Sequence, residues 1–282
     1  MTASFGKEYA NKLSKIDSAF TFLYILTNLG AFTGILTLSY ISEINFKYAL
    51  ALTSILFFLT GFLSLVTSDR KTSDFKNNTF QLAKNTLIII VSSILMGAFW
   101  FIYELNQVNF QTEIQHLIDR DISNFINPYS YSSVILVALC IVLIFLWHFV
   151  YVRQIIKIAL GFILTAIGIG LCFYLPEIAN ESKIYLILIN FILVSLGEAL
   201  IAPTVNALIT KYTNPNYLAI VFSIIYLPSY FISKAYEYLS NNSTIPKDID
   251  LKIGFTSAVI ITLLLCISII NIFIKKRKNE QL

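Results

Sequence analysis

Residues 184–209 read IYLILINFILVSLGEALIAPTVNALI, and Glu198 is the only charged side chain in this run. A helix needs roughly 20 mostly apolar residues to cross a hydrocarbon core of about 30 Å, so the run is long enough to span a bilayer. At a rise of ~1.5 Å per residue, Glu198 lies about 21 Å from the start of the run and about 16 Å from its end. The run therefore predicts a membrane helix with a carboxylate near the middle of the bilayer.

The carboxylate of Glu198 is the strongest candidate for a functional group. A charge at the bilayer centre costs about several kcal/mol, so ionisable residues placed there usually line a cavity or a transport pathway. A carboxyl group withdrawn from water is also suited to carrying a proton. We favour a functional role for Glu198 over the alternative, a structural hydrogen bond between helices.

Seven further stretches have the length and composition of membrane helices. The 282-residue chain is 57% hydrophobic and 13% charged, and its mean hydropathy of +0.75 is higher than a soluble domain requires. The sequence therefore predicts an all-α membrane protein with eight transmembrane helices. They are expected at residues 19–41, 46–66, 83–104, 131–152, 155–175, 184–209, 217–239 and 253–274.

The distribution of positive charge predicts the orientation, because cytoplasmic loops of membrane proteins are enriched in Lys and Arg. With a cytoplasmic N-terminus, fourteen of these residues fall on the cytoplasmic side and five on the opposite side, while Lys234 lies in a membrane segment. We therefore expect both termini in the cytoplasm, and we predict no signal peptide. The fourteen are Lys7, Lys12, Lys15, Arg70, Lys71, Lys76, Lys84, Arg153, Lys157, Lys211, Lys275, Lys276, Arg277 and Lys278.

Other polar groups lie in or beside the predicted spans. Asn28 stands ~13 Å into the first span. There its amide can bind a ligand or hydrogen bond to a neighbouring helix, and the residue alone favours the second, structural role. Residues 104–113 are too polar to face lipid, so this continuation of the third span must border protein, a cavity or solvent. Lys234 and Glu237 are three residues apart on one helix face, where they can pair.

The sequence predicts no catalytic residue, metal ligand or cofactor. It contains no H-E-x-x-H, G-x-S-x-G or paired-cysteine spacing, and His116 and His148 have no second ligand nearby in sequence. Cys140, Cys172 and Cys266 each lie in an apolar run and are interpreted as small hydrophobic residues. The net charge of +4 is too small and too dispersed for a nucleic-acid surface. The expected surroundings are a lipid bilayer.

Three segments together resemble one family. Residues 20–32, FTFLYILTNLGAF, are similar to the F-x-x-x-Y-x-x-I-N-x-G-[SA] signature of proton-dependent oligopeptide transporters, which are major facilitator proteins; Thr27 stands where Ile or Val is usual. Residues 197–203, GEALIAP, with Thr210-Lys211 resemble the G-E-x-x-I-S-P and V-T-K of that family's tenth helix. Residues 99–104, FWFIYE, resemble the F-W-x-x-[FY]-E-Q of its seventh helix.

In this register the eight spans correspond to the family's helices five to twelve. The resemblance implies that Asn28, Glu198 and Trp100 bind substrate, and that Glu104 and Glu198 take part in proton coupling. The substrates would be di- and tripeptides, carried together with protons across the cell's inner membrane. It also implies a remnant of the N-terminal bundle with two membrane helices at 1–66, a cytoplasmic linker at 67–82 and a C-terminal six-helix bundle at 83–282.

The chain also departs from the family. Two features that serve the peptide carboxylate in the family have no counterpart here: the E-x-x-E-R motif of the first helix and the Lys of the fourth. Residues 131–134 and 225–227 also lack the usual Asn-Pro and Trp. We therefore expect a partial major facilitator fold: an N-terminally truncated or half-protein transporter that needs a second chain for the missing helices, or a homo-oligomer. The alternative is a non-transporting membrane binding or scaffold protein, or an inactive gene remnant.

Overall fold

The computed structural model describes residues 2–9, 15–66, 79–117, 138–139, 141–142, 152–175, 181–242 and 248–279. Every regular element in these ranges is helical, which confirms the predicted all-α class. The helices are α1 (Thr2–Tyr9), α2 (Ile16–Ile44), α3 (Phe46–Val66), α4 (Thr79–Leu117), α5 (Gln154–Cys172), α6 (Glu181–Tyr212), α7 (Leu218–Ile224), α8 (Leu227–Asn242) and α9 (Asp248–Asn279), with a 3-10 turn at Pro215–Tyr217 before α7.

Six helical segments in the described ranges are long and apolar enough to cross a membrane, and α3 adds a shorter apolar segment, Phe46–Phe62. Together they coincide with seven of the eight predicted spans. The remaining prediction, at 131–152, lies largely outside the described residues. The six are Ile16–Ile44, Gln81–Gln107, Gln154–Cys172, Tyr185–Tyr212, Pro215–Leu239 and Ile249–Lys275.

The centre of the described structure is the pair α5 and α6, against which α4 and α9 pack. Glycines allow the two helices to approach closely: a Cβ on Gly161 would lie 2.5 Å from Ile201 Cγ1, and one on Gly197 would lie 2.8 Å from the Gly161 carbonyl oxygen. Phe99 of α4 meets Phe162 of α5 edge to face, with ring centroids 6.1 Å apart. This packing fixes the middle of α6, where Glu198 follows Gly197.

The helices α2 and α3 are packed only at one end. The buried residues of α2 lie in its first three turns and include Ile16, Phe20 and Ile25, whereas Phe57 and Phe58 of α3 are 74% and 83% exposed. Gly30 and Gly34, although spaced as G-x-x-x-G, have no atom of the described residues within 4 Å of an added Cβ. These faces are therefore free to contact lipid or further helices.

The predicted span at 217–239 is not one continuous helix, because it breaks at residues 225–226 between α7 and α8. Pro228 explains the break: it has no N–H to donate, and its ring clashes with the carbonyl group one turn earlier. Gly97 of α4 faces the break, and a Cβ on Gly97 would lie 2.8 Å from both Pro228 Cβ and Ser229 N. The break is therefore in direct backbone contact with α4.

An ion pair ties the start of α2 to α5. Lys157 Nζ lies 2.7 Å from Asp17 Oδ2, and Gln154 Nε2 donates to Asp17 Oδ1 at 2.7 Å. The side chain of Lys157 is only 3% exposed, although the sequence analysis counted it as an ordinary cytoplasmic charge. On the same side, α1 packs against α6 and α7 and places Phe5 edge to face on Phe20.

Candidate functional site

Glu198 is held at the meeting point of three helices. It is 5% exposed, and Tyr24 of α2 donates its hydroxyl hydrogen to Glu198 Oε1 at 2.5 Å. The side chain of Tyr103, from α4, also hydrogen bonds to Glu198. No Lys or Arg in the described ranges pairs with this carboxylate. The site is thus a buried carboxylate whose described partners are neutral hydroxyl groups.

Aromatic rings of α4 form one wall of this site. The ring of Trp100 lies 5.4 Å from that of Tyr103 and 5.8 Å from that of Phe99, both edge to face. Trp100 Nε1 is buried and has no hydrogen-bond partner among the described residues. The structure therefore brings the predicted substrate-binding residue Trp100 next to the tyrosine that contacts Glu198.

The other two predicted site residues, Asn28 and Glu104, make their described hydrogen bonds to groups other than Glu198. Asn28 is half-buried, one turn after Tyr24, and donates from Nδ2 to the Tyr24 carbonyl oxygen at 3.0 Å. This hydrogen bond lies within α2. Glu104 is exposed and accepts a hydrogen bond from Ser233 Oγ at 2.7 Å, so it lies on the contact between α4 and α8.

The described start of the polar continuation of the third span borders protein, one of the three settings predicted for it. Asn106 of α4 and Asn190 of α6 exchange two amide hydrogen bonds of 3.2 and 3.4 Å, and both side chains are buried. Gln107 is buried as well. The contacts of Asn106 with Asn190 and of Tyr103 with Glu198 show that α4 and α6 run antiparallel, because the later residue of α4 meets the earlier residue of α6.

Two further cations in the described membrane helices and their ends are already paired. The predicted partnership of Lys234 with Glu237 is confirmed, with Nζ and Oε2 2.6 Å apart, and Lys157 pairs with Asp17. The pair in α8 could be recognised by its i, i+3 spacing. No comparable local signal marks Asp17 and Lys157, which lie 140 residues apart.

Sequence reasoning gave no individual role to Tyr24, Tyr103 or Asn206. Tyr24 precedes Asn28 by four residues and Tyr103 follows Trp100 by three, so each shares a helix face with a residue that was singled out. Asn206 of α6 is 7% exposed, and its side chain hydrogen bonds to that of Tyr226. Its position two turns after Glu198 is the signal that could have identified it.

Membrane-length helices around a buried carboxylate define a multi-pass membrane protein with a polar interior site, an arrangement typical of secondary transporters. The chain matches the family model described as Major Facilitator Superfamily over residues 7–234, and it belongs to that superfamily. Comparisons with curated proteins and with solved structures found no match. The protein is therefore a membrane-embedded member of a transporter family whose members are generally not enzymes, and the lipid bilayer is its partner.

Proposed function

We propose that the chain forms the part of a proton-coupled oligopeptide transporter that binds the peptide's ammonium group, and that Glu198 is the binding carboxylate. One observation carries the proposal: the carboxylate of Glu198 is buried at a helix junction with only tyrosine hydroxyls as described partners. A buried carboxylate without a cation is destabilising, and a ligand ammonium group supplies the missing charge.

The same carboxylate provides a route to proton coupling. A proton and an ammonium group can each neutralise Glu198, so peptide binding displaces the proton from it, and symport requires that a second carboxylate keep that proton during transport. The hydroxyls of Tyr24 and Tyr103 hydrogen bond to the carboxylate and so orient it. Glu104 is the second proposed proton-coupling residue, linked to α8 through Ser233.

The carboxylate end of a peptide needs a cation that lies elsewhere. Lys157 and Lys234 are both engaged by acidic partners. The cation that binds the peptide carboxylate would therefore lie on additional helices, which belong either to a second chain or to further residues of the same polypeptide. Those helices would cover the exposed faces of α2 and α3. In this arrangement residues 1–66 belong to the N-terminal half, 67–82 form a cytoplasmic linker, and 83–282 form the C-terminal bundle in the inner membrane, with both termini cytoplasmic.

The test is uptake in cells that lack their own peptide transport. The chain is co-expressed with a second polypeptide that supplies the four N-terminal helices of an oligopeptide transporter, and accumulation of a labelled dipeptide is measured with and without an inward proton gradient. We expect gradient-dependent accumulation that Glu198→Gln abolishes at an unchanged membrane level of the protein. Glu43→Gln, at an exposed end of α2, is the matched control and should transport normally. Undiminished uptake by Glu198→Gln would remove this carboxylate from the mechanism.

A further inference from the structure

Positive charges collect where α9 leaves the membrane. The apolar span of this helix ends at Lys275, and the helix continues to Asn279 through the run Lys276-Arg277-Lys278. The expected orientation places this end in the cytoplasm, where an excess of basic residues is ordinary. The run by itself therefore fits the topology and requires no ligand.

A second helix adds a cation at the same end. The guanidinium carbon of Arg153, the residue before α5, lies 5.5 Å from the centroid of the Phe273 ring of α9. The rings of Phe173 and Phe255 meet at the opposite ends of these two helices, so α5 and α9 are antiparallel. Arg277 comes four residues after Phe273, on the same helix face. Cations from two helices therefore share one face at one end of the membrane.

The described surroundings of Arg153 do not compensate its charge. Its side chain is exposed, and it forms no ion pair with an acidic side chain of the described residues. Asp17, the acid that contacts the first turn of α5, is already engaged by Lys157. Arg153 also makes no capping hydrogen bond to α5, and the positive end of the helix macrodipole disfavours a cation there. An anion bound beside Arg153 would offset this repulsion and that of the basic residues of α9.

The membrane face of α9 next to this cluster is suited to an acyl chain. One stripe along the helix consists of four aliphatic residues that are each 50–57% exposed, namely Leu263, Ile267, Ile270 and Ile274. Arg277 and Lys278 follow Ile274 by three and four residues, so the stripe continues directly into the basic run. A phospholipid has the same order of apolar chain and polar headgroup, and the positive charge selects an anionic headgroup.

We propose that Arg153 and the basic end of α9 form a binding site for one anionic phospholipid. Its phosphate lies between the start of α5 and the end of α9, and its acyl chains follow the exposed stripe of α9. The headgroup meets cations from both helices, so the lipid binds more tightly than the basic run of α9 alone allows. The site is separate from Glu198 and does not depend on the proposed transport.

Native mass spectrometry of the full chain in neutral detergent measures this binding. The chain is titrated with palmitoyl-oleoyl phosphatidylglycerol, or with phosphatidylcholine of the same acyl chains, and the Kd of the first bound lipid is obtained. Arg153→Gln removes the cation of α5, and the double variant Arg277→Gln, Lys278→Gln removes two cations of α9. Arg153→Lys keeps the charge. Lys252→Gln removes an exposed cation from the other end of α9 and is the matched control.

We expect the native chain to prefer phosphatidylglycerol roughly 100-fold, because each of three cations contributes roughly fivefold, equivalent to about 1 kcal/mol. Arg153→Gln should lower the preference roughly fivefold, and the double variant roughly 25-fold. Arg153→Lys should retain most of the preference, and Lys252→Gln should retain all of it.

Two results would overturn the proposed lipid site. Equal Kd values of the native chain for the two lipids would do so, and if the chain then bound polyglutamate, the cluster would be a docking site for an acidic protein segment instead. A preference left unchanged by Arg153→Gln would also overturn the site, because the basic run of α9 would then account for the binding without α5.

Discussion

The ion pair between Asp17 and Lys157 should be worth more to stability than any exposed charge pair. Lys157 is only 3% exposed and Asp17 20% exposed, so removing one partner leaves the other charge largely out of water. Losing one member of such a pair costs about 3–5 kcal/mol, whereas replacing both is often close to neutral. We therefore expect Asp17→Asn and Lys157→Met each to destabilise the protein strongly, and the double variant to recover most of the loss.

The size of the effect follows from the geometry. In Asp17→Asn the bond from Gln154 can persist, because an amide oxygen still accepts it, so the loss is mainly that of the ion pair with Lys157. In a protein of this size, each kcal/mol corresponds to roughly 2–4 °C in Tm, which gives a decrease of about 10 °C for each single variant. Thermal unfolding of the detergent-solubilised chain can be followed by the fluorescence of its two tryptophans.

The double-mutant cycle decides whether the pair acts as a unit. Lys47→Met removes a positive charge from an exposed position at the start of α3 and should leave Tm nearly unchanged. If the losses of Asp17→Asn and Lys157→Met simply added in the double variant, the two charges would be independent. The view that they hold α2 against α5 would then be refuted.

Three further predictions follow from the packing, the charge distribution and the paired cations. Gly97→Ala should lower the free energy of unfolding by about 1–3 kcal/mol, because its Cβ would press on the backbone at Pro228. The control Gly30→Ala, in open space, should not destabilise the protein. Equal Tm values for the two variants would contradict the close contact. Reporter fusions after Leu282 and after Ser243 should report the cytoplasm and the opposite side respectively, and both on one side would refute the topology. Reconstituted alone under a proton gradient, the chain should accumulate no zwitterionic dipeptide above empty liposomes, since Lys157 and Lys234 are engaged by acidic partners. Robust accumulation would contradict this prediction.

The sequence predicts well what depends on length and local spacing. Hydrophobic runs located the helices, the isolated charge of Glu198 marked the interior site, and the i, i+3 spacing of Lys234 and Glu237 predicted their ion pair. The polarity after Glu104 indicated a helix that leaves the lipid for protein, a cavity or solvent, and Asn106 and Gln107 are buried. Each of these predictions depends on the residues of one helix and on whether that helix faces lipid or a polar environment.

What the sequence could not predict depends on contacts between distant segments. The pairing of Asp17 with Lys157 requires the packing of α2 on α5, and nothing near either residue encodes it. Proline was visible at both 203 and 228, yet Pro203 lies inside the intact helix α6, whereas the helix breaks before Pro228. The presence of proline is therefore not enough to predict which helix breaks, and the close contact of Pro228 with Gly97 of α4 is visible only in the fold. Tyr24 and Tyr103 likewise lie on two separate helices and meet Glu198, on a third, only after folding.

The most direct test of the central claim, that Glu198 binds a peptide ammonium group, is a comparison of two ligands that differ only at that group. Binding of trialanine carboxamide and of its N-acetylated form to the reconstituted chain is measured for the native protein and for Glu198→Gln. We predict that the native chain prefers the free amine by roughly 100-fold, about 2.7 kcal/mol, and that the variant loses this preference. Equal binding of the two ligands to the native chain, or an unchanged preference in Glu198→Gln, would contradict the claim.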